Sequence, residues 1–348
     1  MSSLVLVTGA SGYIAGHVVK ELLEHGYAVR GTVRDVTATE RVAHLRAIAD
    51  DGGGKLEFVA ANLTSDDGWA AAVDGCDYVI HVASPIPSAT PKDPDELVRP
   101  AVDGTLRVLN AAAAAPSVKR VVLTSSIAAI AAGRDPKSEH RCTEDDWSNL
   151  DNCEPYPRSK TLAERAAWEF MDTKGTDVGF DLVAVNPGLV LGPLLNADAS
   201  TSVEVVKKLI NREIPGTIAL GFATVDVRDV AAAHRLAMET PAASGNRYIV
   251  AGDHAWMRDM AETLAAEFGP RGYRVPTRDL PHWLVWTIAR FDKTVRLALD
   301  MIGARELVSA DKAKRELGWT MRPLKTSLVD TADSMIDLGL VTNRRARA

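Results

Sequence analysis

A tyrosine and a lysine stand four residues apart in the run Tyr156-Pro157-Arg158-Ser159-Lys160. On a helix, residues at this spacing project from the same face. A phenol titrates near pKa 10 in water, and a neighbouring ammonium lowers that value by favouring the ionised form. Tyr156 could then exchange a proton with a carbonyl oxygen. Such a pair is common by chance, so its meaning depends on the elements around it.

A hydroxyl that could act on the same oxygen comes from Thr124-Ser125-Ser126, at the end of a predicted strand. Ligands of parallel sheets bind at the carboxyl ends of the strands. A hydroxyl there can donate to the oxygen and stabilise its developing charge. We select Ser126 over Ser125 for this role, and we expect Thr124 to border the cofactor.

The segment from Thr8 to Gly16 follows the first predicted strand and opens the first predicted helix. One glycine permits the tight turn, and a second lets the backbone approach a pyrophosphate. The N-terminus of the helix offers unpaired N–H groups to the phosphates. In this context the pattern predicts a dinucleotide site that is contacted by Gly9, Ser11, Gly12, Tyr13 and Ile14.

The end of the second strand, in Val29-Arg30-Gly31-Thr32-Val33-Arg34-Asp35, indicates which dinucleotide binds. An NAD site places an acid there for the ribose, whereas an NADP site places an arginine for the 2′-phosphate. Arg34 and Arg41 favour NADPH, since Asp35 comes one residue too late to serve as the NAD acid. Arg41 could equally be a solvated helix residue.

Two further strand ends add candidate cofactor contacts. Asn62 and Leu63 follow the third strand, where the chain would pass the adenine. Val82, Ala83 and Ser84 lie at the end of the fourth strand, and their small size would let the cofactor approach the backbone. Each of these segments could equally be an ordinary loop.

The fold that would position these residues is an α/β fold, a doubly wound parallel sheet of the Rossmann type. Short, continuously apolar strands alternate with amphipathic helices, which is typical of a parallel sheet covered on both faces. After Pro193 the pattern becomes mostly helical. We expect a dinucleotide-binding domain over 1–193 with return segments near 225–251, and a smaller substrate lobe over 194–224 and 252–348. The predicted strands are Leu4–Val7, Val29–Val33, Leu56–Ala60, Tyr78–Val82, Val121–Thr124, Leu182–Val185 and Arg247–Val250. The predicted helices are Tyr13–His25, Thr39–Ala49, Leu97–Ala114, Tyr156–Met171, Ser202–Arg212, Val227–Met238, Met257–Phe268, Leu284–Leu299, Ala310–Leu317 and Ser327–Leu338.

Composition argues against several classes of protein. The net charge of −6 lacks the basic surplus of nucleic-acid binders. No apolar run approaches the ~20 residues of a membrane span, and the start of the sequence does not resemble a signal peptide, so we expect a cytoplasmic protein. The three cysteines and the His and carboxylate residues show no metal-ligand spacing, and no metal is predicted.

Three features invite a functional interpretation, but structural roles are favoured for them. We expect His81 to pack at a strand end, Asp226 to cap a helix beside an ion pair, and Trp283 and Trp286 to pack on their helix rather than wall a substrate pocket.

Taken together, these motifs resemble the extended short-chain dehydrogenases/reductases, and within them the dihydroflavonol and cinnamoyl-CoA reductases and the fungal methylglyoxal-type aldehyde reductases. The matching segments are the Thr8–Gly16 loop, 31–35, His81-Val82-Ala83-Ser84-Pro85, 102–105, 123–126, 156–160, 186–193 and 225–230. The resemblance implies a catalytic Ser126, Tyr156 and Lys160, the last also holding the nicotinamide ribose. It further implies that Pro187, Gly188 and Val190 line the nicotinamide, with Ser202 near the diphosphate. In such reductases an acid marks NAD users at the position of Val33. Two positions depart from the pattern: Ala15 takes the third small position of the loop, and Asn62 replaces a common aspartate.

We therefore expect an NADPH-dependent carbonyl reductase that acts on a small-molecule aldehyde or ketone as a monomer or homodimer. Two other enzymes remain open: an NAD-dependent nucleotide-sugar epimerase or dehydratase, and a hydroxysteroid-type dehydrogenase. A redox sensor that binds NADP without turnover is the alternative outside enzymes.

Overall fold

The computed structural model describes residues 2–84, 93, 95–136, 138–198, 200–288, 290 and 302–341. Pro85, which belongs to one of the segments that resemble the reductases, lies outside these residues. So does most of the part of the predicted helix Leu284–Leu299 that follows Ile288. Within them no helix combines the length and the apolar character that crossing a bilayer requires.

A seven-stranded sheet, parallel at every pairing, forms the centre of the molecule. Its strand order is β3-β2-β1-β4-β5-β6-β9. The chain winds outward from β1 in one direction and then from β4 in the other, so the winding reverses between β1 and β4, where such sheets bind their ligands. The strands are β1 Leu4–Val7, β2 Ala28–Val33, β3 Leu56–Ala60, β4 Tyr78–His81, β5 Arg120–Thr124, β6 Asp181–Pro187 and β9 Arg247–Val250.

Helices cover both faces of this sheet and build the smaller lobe. We number them in chain order as α1 Tyr13–Glu24, α2 Ala43–Gly52, α3 Trp69–Val73, α4 Asp95–Ala113, α5 Pro155–Lys174, α6 Glu204–Ile210, α7 Val227–Glu239, α8 Met257–Phe268, α9 His282–Ile288, α10 Asp311–Leu317 and α11 Leu324–Asp337. The predicted helices over Thr39–Ala49 and Ser202–Arg212 each begin as a short 3₁₀ turn, at Thr39–Val42 and at Thr201–Val203.

Two apolar cores lie on opposite faces of the sheet, as a doubly wound fold requires. One joins β1, β4 and β6 to α1, α7 and α10. The other joins the opposite sides of the same strands to α3, α4 and α5. Every residue of β5 and β9 is buried, which explains why both strands contain consecutive apolar residues, 121–123 and 248–250, instead of alternating ones. The predicted doubly wound parallel sheet is confirmed.

A second sheet, which the sequence did not predict, packs against helices of the smaller lobe. Its strands are β7 Leu189–Leu191, β8 Gly221–Asp226 and β10 His254–Trp256, in the order β10-β8-β7. A Cβ on Gly188 would lie 2.1 Å from the Ala223 carbonyl oxygen, so a glycine lets β7 begin this close to β8. A third apolar core packs this sheet against α6, α8 and α11.

Candidate active site

The loop between β1 and α1 touches two neighbouring strands closely. Gly9 adopts a positive φ of 67°, and a Cβ on it would lie 3.0 Å from the Cβ of Ala83. Gly12 forms the N-cap of α1 and offers no side-chain acceptor to the first turn. The first N–H groups of the helix therefore stay available to a phosphate, as the glycine pattern predicts.

β2 fixes the other side of this loop. The amide of Ala10 donates to the Thr32 carbonyl at 2.9 Å, and the amide of Gly9 donates to Thr32 Oγ1 at 2.9 Å. Gly31 leaves room for the loop, since a Cβ there would lie 2.7 Å from the Cβ of Ala10.

His81 ties the loop to the end of β4. Thr8 Oγ1 accepts from the Ala83 amide at 3.0 Å, so its own proton faces His81 Nδ1 at 2.8 Å. Burial lowers the pKa of His81 to about 3, and the ring is therefore a neutral acceptor at neutral pH. The predicted packing role of His81 is confirmed.

The end of β2 presents a cation and no free acid. Val33 is buried, whereas Arg34 is exposed and makes no ion pair or side-chain hydrogen bond within the part of the chain described. Asp35 Oδ1 accepts from the Thr37 amide at 2.8 Å and from Thr37 Oγ1 at 2.6 Å. These bonds lower the pKa of Asp35, and they hold its carboxylate within the turn at 35–37.

Arg41 has an acidic neighbour. Its guanidinium lies 3.7 Å from the carboxylate of Asp198, and both side chains are largely exposed. A pair of this kind contributes little to stability and leaves Arg41 able to turn toward another anion. Its role at a 2′-phosphate stays a prediction.

The other predicted cofactor contacts occupy the expected strand ends. Asn62 Oδ1 accepts from the Thr64 amide at 3.2 Å, and the Leu63 side chain packs where Gly104 leaves space on α4. Val82 and Ser84 are half-buried beside β4. Their contacts with a cofactor stay predictions.

The end of β5 separates the two candidate serines. Ser125 Oγ is buried and donates to Glu164 at 2.5 Å, so it belongs to the interior. Ser126 is half-buried and starts a short 3₁₀ turn, where its Oγ accepts from the Ala128 amide at 3.1 Å. The same Oγ donates to the Pro187 carbonyl at a long 3.5 Å. Ser126 is thus the serine whose hydroxyl can turn to another acceptor.

Tyr156 and Lys160 both project from the first turns of α5. The Ser126 side chain lowers the pKa of Tyr156, but burial raises this pKa more, and the net shift is upward. The residue is nevertheless 44% exposed, so part of its side chain reaches solvent. Burial lowers the pKa of Lys160 to about 8, while the charge of Glu164 opposes that shift.

The predicted lowering of the Tyr156 pKa by Lys160 is wrong for this arrangement. Desolvation of the phenol outweighs the other influences, and Lys160 is not one of them. The phenol therefore remains protonated at neutral pH.

Hydrogen bonds connect α1, the helix after the glycine loop, to the segment that follows β7. The Tyr13 hydroxyl donates to the Gly192 carbonyl at 2.8 Å, and His17 Nε2 lies 2.9 Å from the Pro193 carbonyl. The amide of Gly192 in turn donates to Thr331 Oγ1 on α11 at 2.7 Å. The Tyr13 side chain is thus used within the protein, which leaves its backbone N–H for the predicted cofactor contact.

Pro187 and Val190, predicted beside the nicotinamide, are buried around the half-buried Gly188 where β6 passes into β7. Ser202 lies just before α6, and its amide donates to Ser200 Oγ at 3.3 Å. No hydrogen bond among the described residues joins Ser202 to the glycine loop, and its role stays a prediction.

Asp226 caps α7 as expected, since its carboxylate accepts from the Arg228 amide at 2.9 Å and pairs with the Arg228 side chain. By contrast, Trp283 and Trp286 are 68% and 50% exposed, and Val285 between them is the buried residue. The prediction that the tryptophans pack on their helix is wrong because the opposite face of α9 turns inward.

One cluster of potential metal ligands escaped the sequence analysis. Ligand atoms of His140, Cys142 and Asp146 lie within 4.8 Å of one another. One oxygen of Asp146 pairs with Arg134 at 2.6 Å, and the other accepts from the Thr143 amide at 2.9 Å. The cation site is already filled by a guanidinium, so this cluster gives no support for a metal. The three cysteines are all free thiols.

Comparisons with known proteins show the family of this chain. The model of the NAD dependent epimerase/dehydratase family matches residues 5–252. Cinnamoyl-CoA reductase CAD2 of Medicago truncatula is 36% identical, with 96% of each chain covered. Cinnamoyl-CoA reductase 1 of Arabidopsis thaliana is 39% identical over 96% of this chain and 90% of its own.

Among solved structures, the yeast methylglyoxal/isovaleraldehyde reductase Gre2 complexed with NADPH superposes with a TM-score of 0.79 at 28% identity. The match covers 97% of this chain and all of that one. Vestitone reductase from alfalfa gives a TM-score of 0.75 at 27% identity and covers 98% and 100% of the two chains. The chain belongs to the NAD dependent epimerase/dehydratase family, among the extended short-chain dehydrogenases/reductases.

Proposed function

We propose that this oxidoreductase uses NADPH to reduce an aldehyde or ketone to an alcohol, with Ser126, Tyr156 and Lys160 as its catalytic residues. The observation that carries the proposal is the approach of the Ser126 side chain, at the carboxyl end of β5, to Tyr156, which stands four residues before Lys160 on α5. Membership of a family whose relatives are named reductases supports this reaction.

Each residue has a separate task in this reaction. NADPH, when bound, supplies the hydride. Ser126 Oγ donates a hydrogen bond to the carbonyl oxygen and stabilises the charge that develops there. Tyr156 gives its proton to the same oxygen, for which a phenol that stays protonated at neutral pH is suited. Lys160 holds the nicotinamide ribose through its ammonium.

Preference for the phosphorylated dinucleotide is proposed to come from the end of β2. Arg34 is exposed and unpaired among the described residues, so it can bind a 2′-phosphate without first breaking an ion pair. The apolar Val33 stands where a ribose-binding acid would be needed for NAD. We further propose that residues 1–193 and the return segments bind the cofactor while the smaller lobe shapes the substrate pocket.

The test is a panel of aldehydes and ketones, run with NADPH and with NADH, on the wild-type protein and a Tyr156→Phe variant. We expect wild-type oxidation of NADPH with at least one carbonyl and a loss of kcat of roughly a hundredfold or more in the variant, since it lacks the proton donor. Affinity for NADPH, measured by fluorescence titration, should change little.

A Tyr273→Phe variant is the matched control, because it makes the same chemical change in the smaller lobe, where Tyr273 packs against Phe268. It should keep wild-type activity. Full activity of Tyr156→Phe would contradict the proposal.

The alternatives make different predictions in the same experiments. An epimerase or dehydratase would retain NAD through purification and would not consume NADPH. A hydroxysteroid-type enzyme would act on steroid ketones in the panel, and a redox sensor would bind NADPH without turnover of any carbonyl.

A further inference from the structure

A buried ion pair lies directly beneath the proposed catalytic residues. Glu164 on α5 is wholly buried, and its Oε1 lies 2.6 Å from Arg247 Nε on β9. Arg247 is 9% exposed, and its guanidinium stacks 3.8 Å from the Trp147 ring. Burying two charges costs free energy that their attraction often fails to recover. A contribution to stability alone therefore does not explain this network.

The carboxylate of Glu164 reaches the segments that carry Ser126. Its Oε2 accepts from Ser125 Oγ at 2.5 Å and from Asn186 Nδ2 at 2.8 Å. Asn186 Nδ2 also lies 3.2 Å from the Ser126 carbonyl, to which it donates. The next residue, Pro187, accepts from Ser126 Oγ. One carboxylate thus fixes both chain segments that flank the reactive hydroxyl.

The same carboxylate faces Lys160. Tyr156, Lys160 and Glu164 follow one another at four-residue intervals on α5, so they share a face of the helix. Lys160 and Glu164 line one small cavity with His81 and Ser125. Their charges interact across this cavity without forming a direct ion pair.

We propose that Glu164, with Arg247 as its partner, is a positioning residue that holds the Ser126 segment and keeps the Lys160 side chain charged and oriented for the reaction. This inference rests on the proposed function.

The charged and titratable groups around Lys160 decide how its proton responds. Tyr156 and Glu164 lie on its own helix, His81 faces it from β4, and Arg247 stands behind Glu164 on β9. His81 is neutral at neutral pH, and burial keeps Tyr156 protonated. Glu164 is thus the charge that favours the ammonium, against the burial that lowers the Lys160 pKa to about 8. Without it, Lys160 would lose its proton at lower pH.

The first test is a Glu164→Gln variant, which keeps the size of the side chain and removes the charge. A Glu169→Gln variant is the control, since Glu169 is exposed on the same helix. We expect the alkaline limb of the kcat profile of Glu164→Gln to move down by about one pH unit, with kcat at pH 7.5 about threefold lower and the KM for substrate little changed. Glu169→Gln should match the wild type.

The second measurement does not depend on turnover. Protein labelled with ¹³C at the lysine Cε is titrated by NMR without cofactor, and the Lys160 signal is assigned by its loss in Lys160→Arg. The Lys160 midpoint should be lower in Glu164→Gln than in the wild type. An unchanged midpoint, or a kcat reduced equally at every pH, would overturn the positioning role.

In the single variant Arg247 would be a buried charge without its carboxylate partner, and this could unfold the protein. A Glu164→Gln/Arg247→Gln double variant therefore removes both charges. Its circular dichroism should match the wild type, and its Lys160 midpoint should still lie below the wild-type value. A wild-type midpoint in the folded double variant would overturn the inference. Loss of activity in Tyr156→Phe combined with normal titration in Glu164→Gln would refute this inference alone, whereas an active Tyr156→Phe would refute the proposed function itself.

Discussion

At the scale of single residues, proton supply depends on two groups that burial shifts in opposite directions. Burial raises the pKa of Tyr156, which keeps the phenol neutral, and lowers that of Lys160 to about 8, which brings its charge near physiological pH. Desolvation disfavours the charged form of each group. Lys160 is therefore the group whose titration should be visible in the pH dependence of the reaction.

The pH dependence of reduction follows from this shift. Lys160 carries its charge below its folded pKa, so kcat should be steady below about pH 7 and fall as the pH rises through about 8. Stopped-flow or steady-state rates between pH 6 and 10 would measure this. A Lys160→Arg variant keeps its charge over the whole range, and its residual rate should not decline near pH 8. A decline near pH 8 in that variant would assign the limb to another group.

Cofactor preference is also decided by a single residue. An Arg34→Gln variant should bind NADPH roughly tenfold to a hundredfold more weakly, because a charge-assisted contact with the 2′-phosphate is lost. Binding of NADH, which lacks this phosphate, should stay the same. The Kd of each dinucleotide, measured by fluorescence titration, gives the ratio. Equal weakening of both dinucleotides would show that Arg34 does not select the phosphate.

At the scale of elements, the position of the β1–α1 loop depends on Gly31 in β2, which has no side chain. A Cβ on Gly31 would lie 2.7 Å from Ala10 and 2.9 Å from the Phe58 ring. Contacts this short force neighbouring groups to move. The displaced group would be either the loop that is proposed to bind the pyrophosphate or the ring on β3.

A Gly31→Ala variant should therefore lower the free energy of unfolding by about 1–3 kcal/mol and weaken NADPH binding. Gly52→Ala is the matched control, since nothing lies within 4 Å of the Cβ it would add and alanine is the better helix former. Urea unfolding and NADPH titration would measure both variants. Equal stability of the two would show that β2 and the loop adapt without cost.

The sequence predicted every strand of the central sheet and missed several short elements elsewhere. The strands Leu56–Ala60 and Arg247–Val250 were predicted with their observed bounds, because a short apolar run bounded by turn residues is typical of a strand. The three-residue strands β7 and β10 and the five-residue helix α3 were missed, since a period cannot be recognised in so few residues. Loop residues such as Gly12 were predicted from local sequence. The Ser125–Glu164 contact could not be, since it joins residues 39 apart through the tertiary fold.

At the scale of the whole molecule, acid should destabilise the protein through buried histidines. Burial lowers the pKa of His17 and His234 to about 4 and that of His81 to about 3. In the unfolded chain each titrates near 6.5. Between about pH 6.5 and 4 the unfolded state binds more protons, so the stability present above pH 6.5 is lost as the pH falls.

Urea unfolding at pH 7, 6 and 5 would measure this loss. Each histidine adds up to about 1.4 kcal/mol per pH unit to the slope. A His234→Gln variant should reduce the slope by up to that amount, whereas His25→Gln, at the exposed C-terminal end of α1, should leave it close to the wild-type value. An identical slope in both variants would show that His234 protonates without unfolding.

The hydroxyl oxygens of Thr331 and Ser334 accept hydrogen bonds from the amides of Gly192 and Leu194, which lie 139 and 140 residues earlier in the sequence. The Gly192 carbonyl in turn accepts a hydrogen bond from the Tyr13 hydroxyl. A ribosome-bound chain whose large sheet has emerged still lacks both hydroxyls, so the Gly192–Leu194 segment that Tyr13 contacts stays unanchored until α11 is synthesised. Contacts this distant in sequence form slowly. Nascent chains stalled before Thr331 should therefore be cleaved by protease near Gly192, and dinucleotide should protect them less than the finished protein.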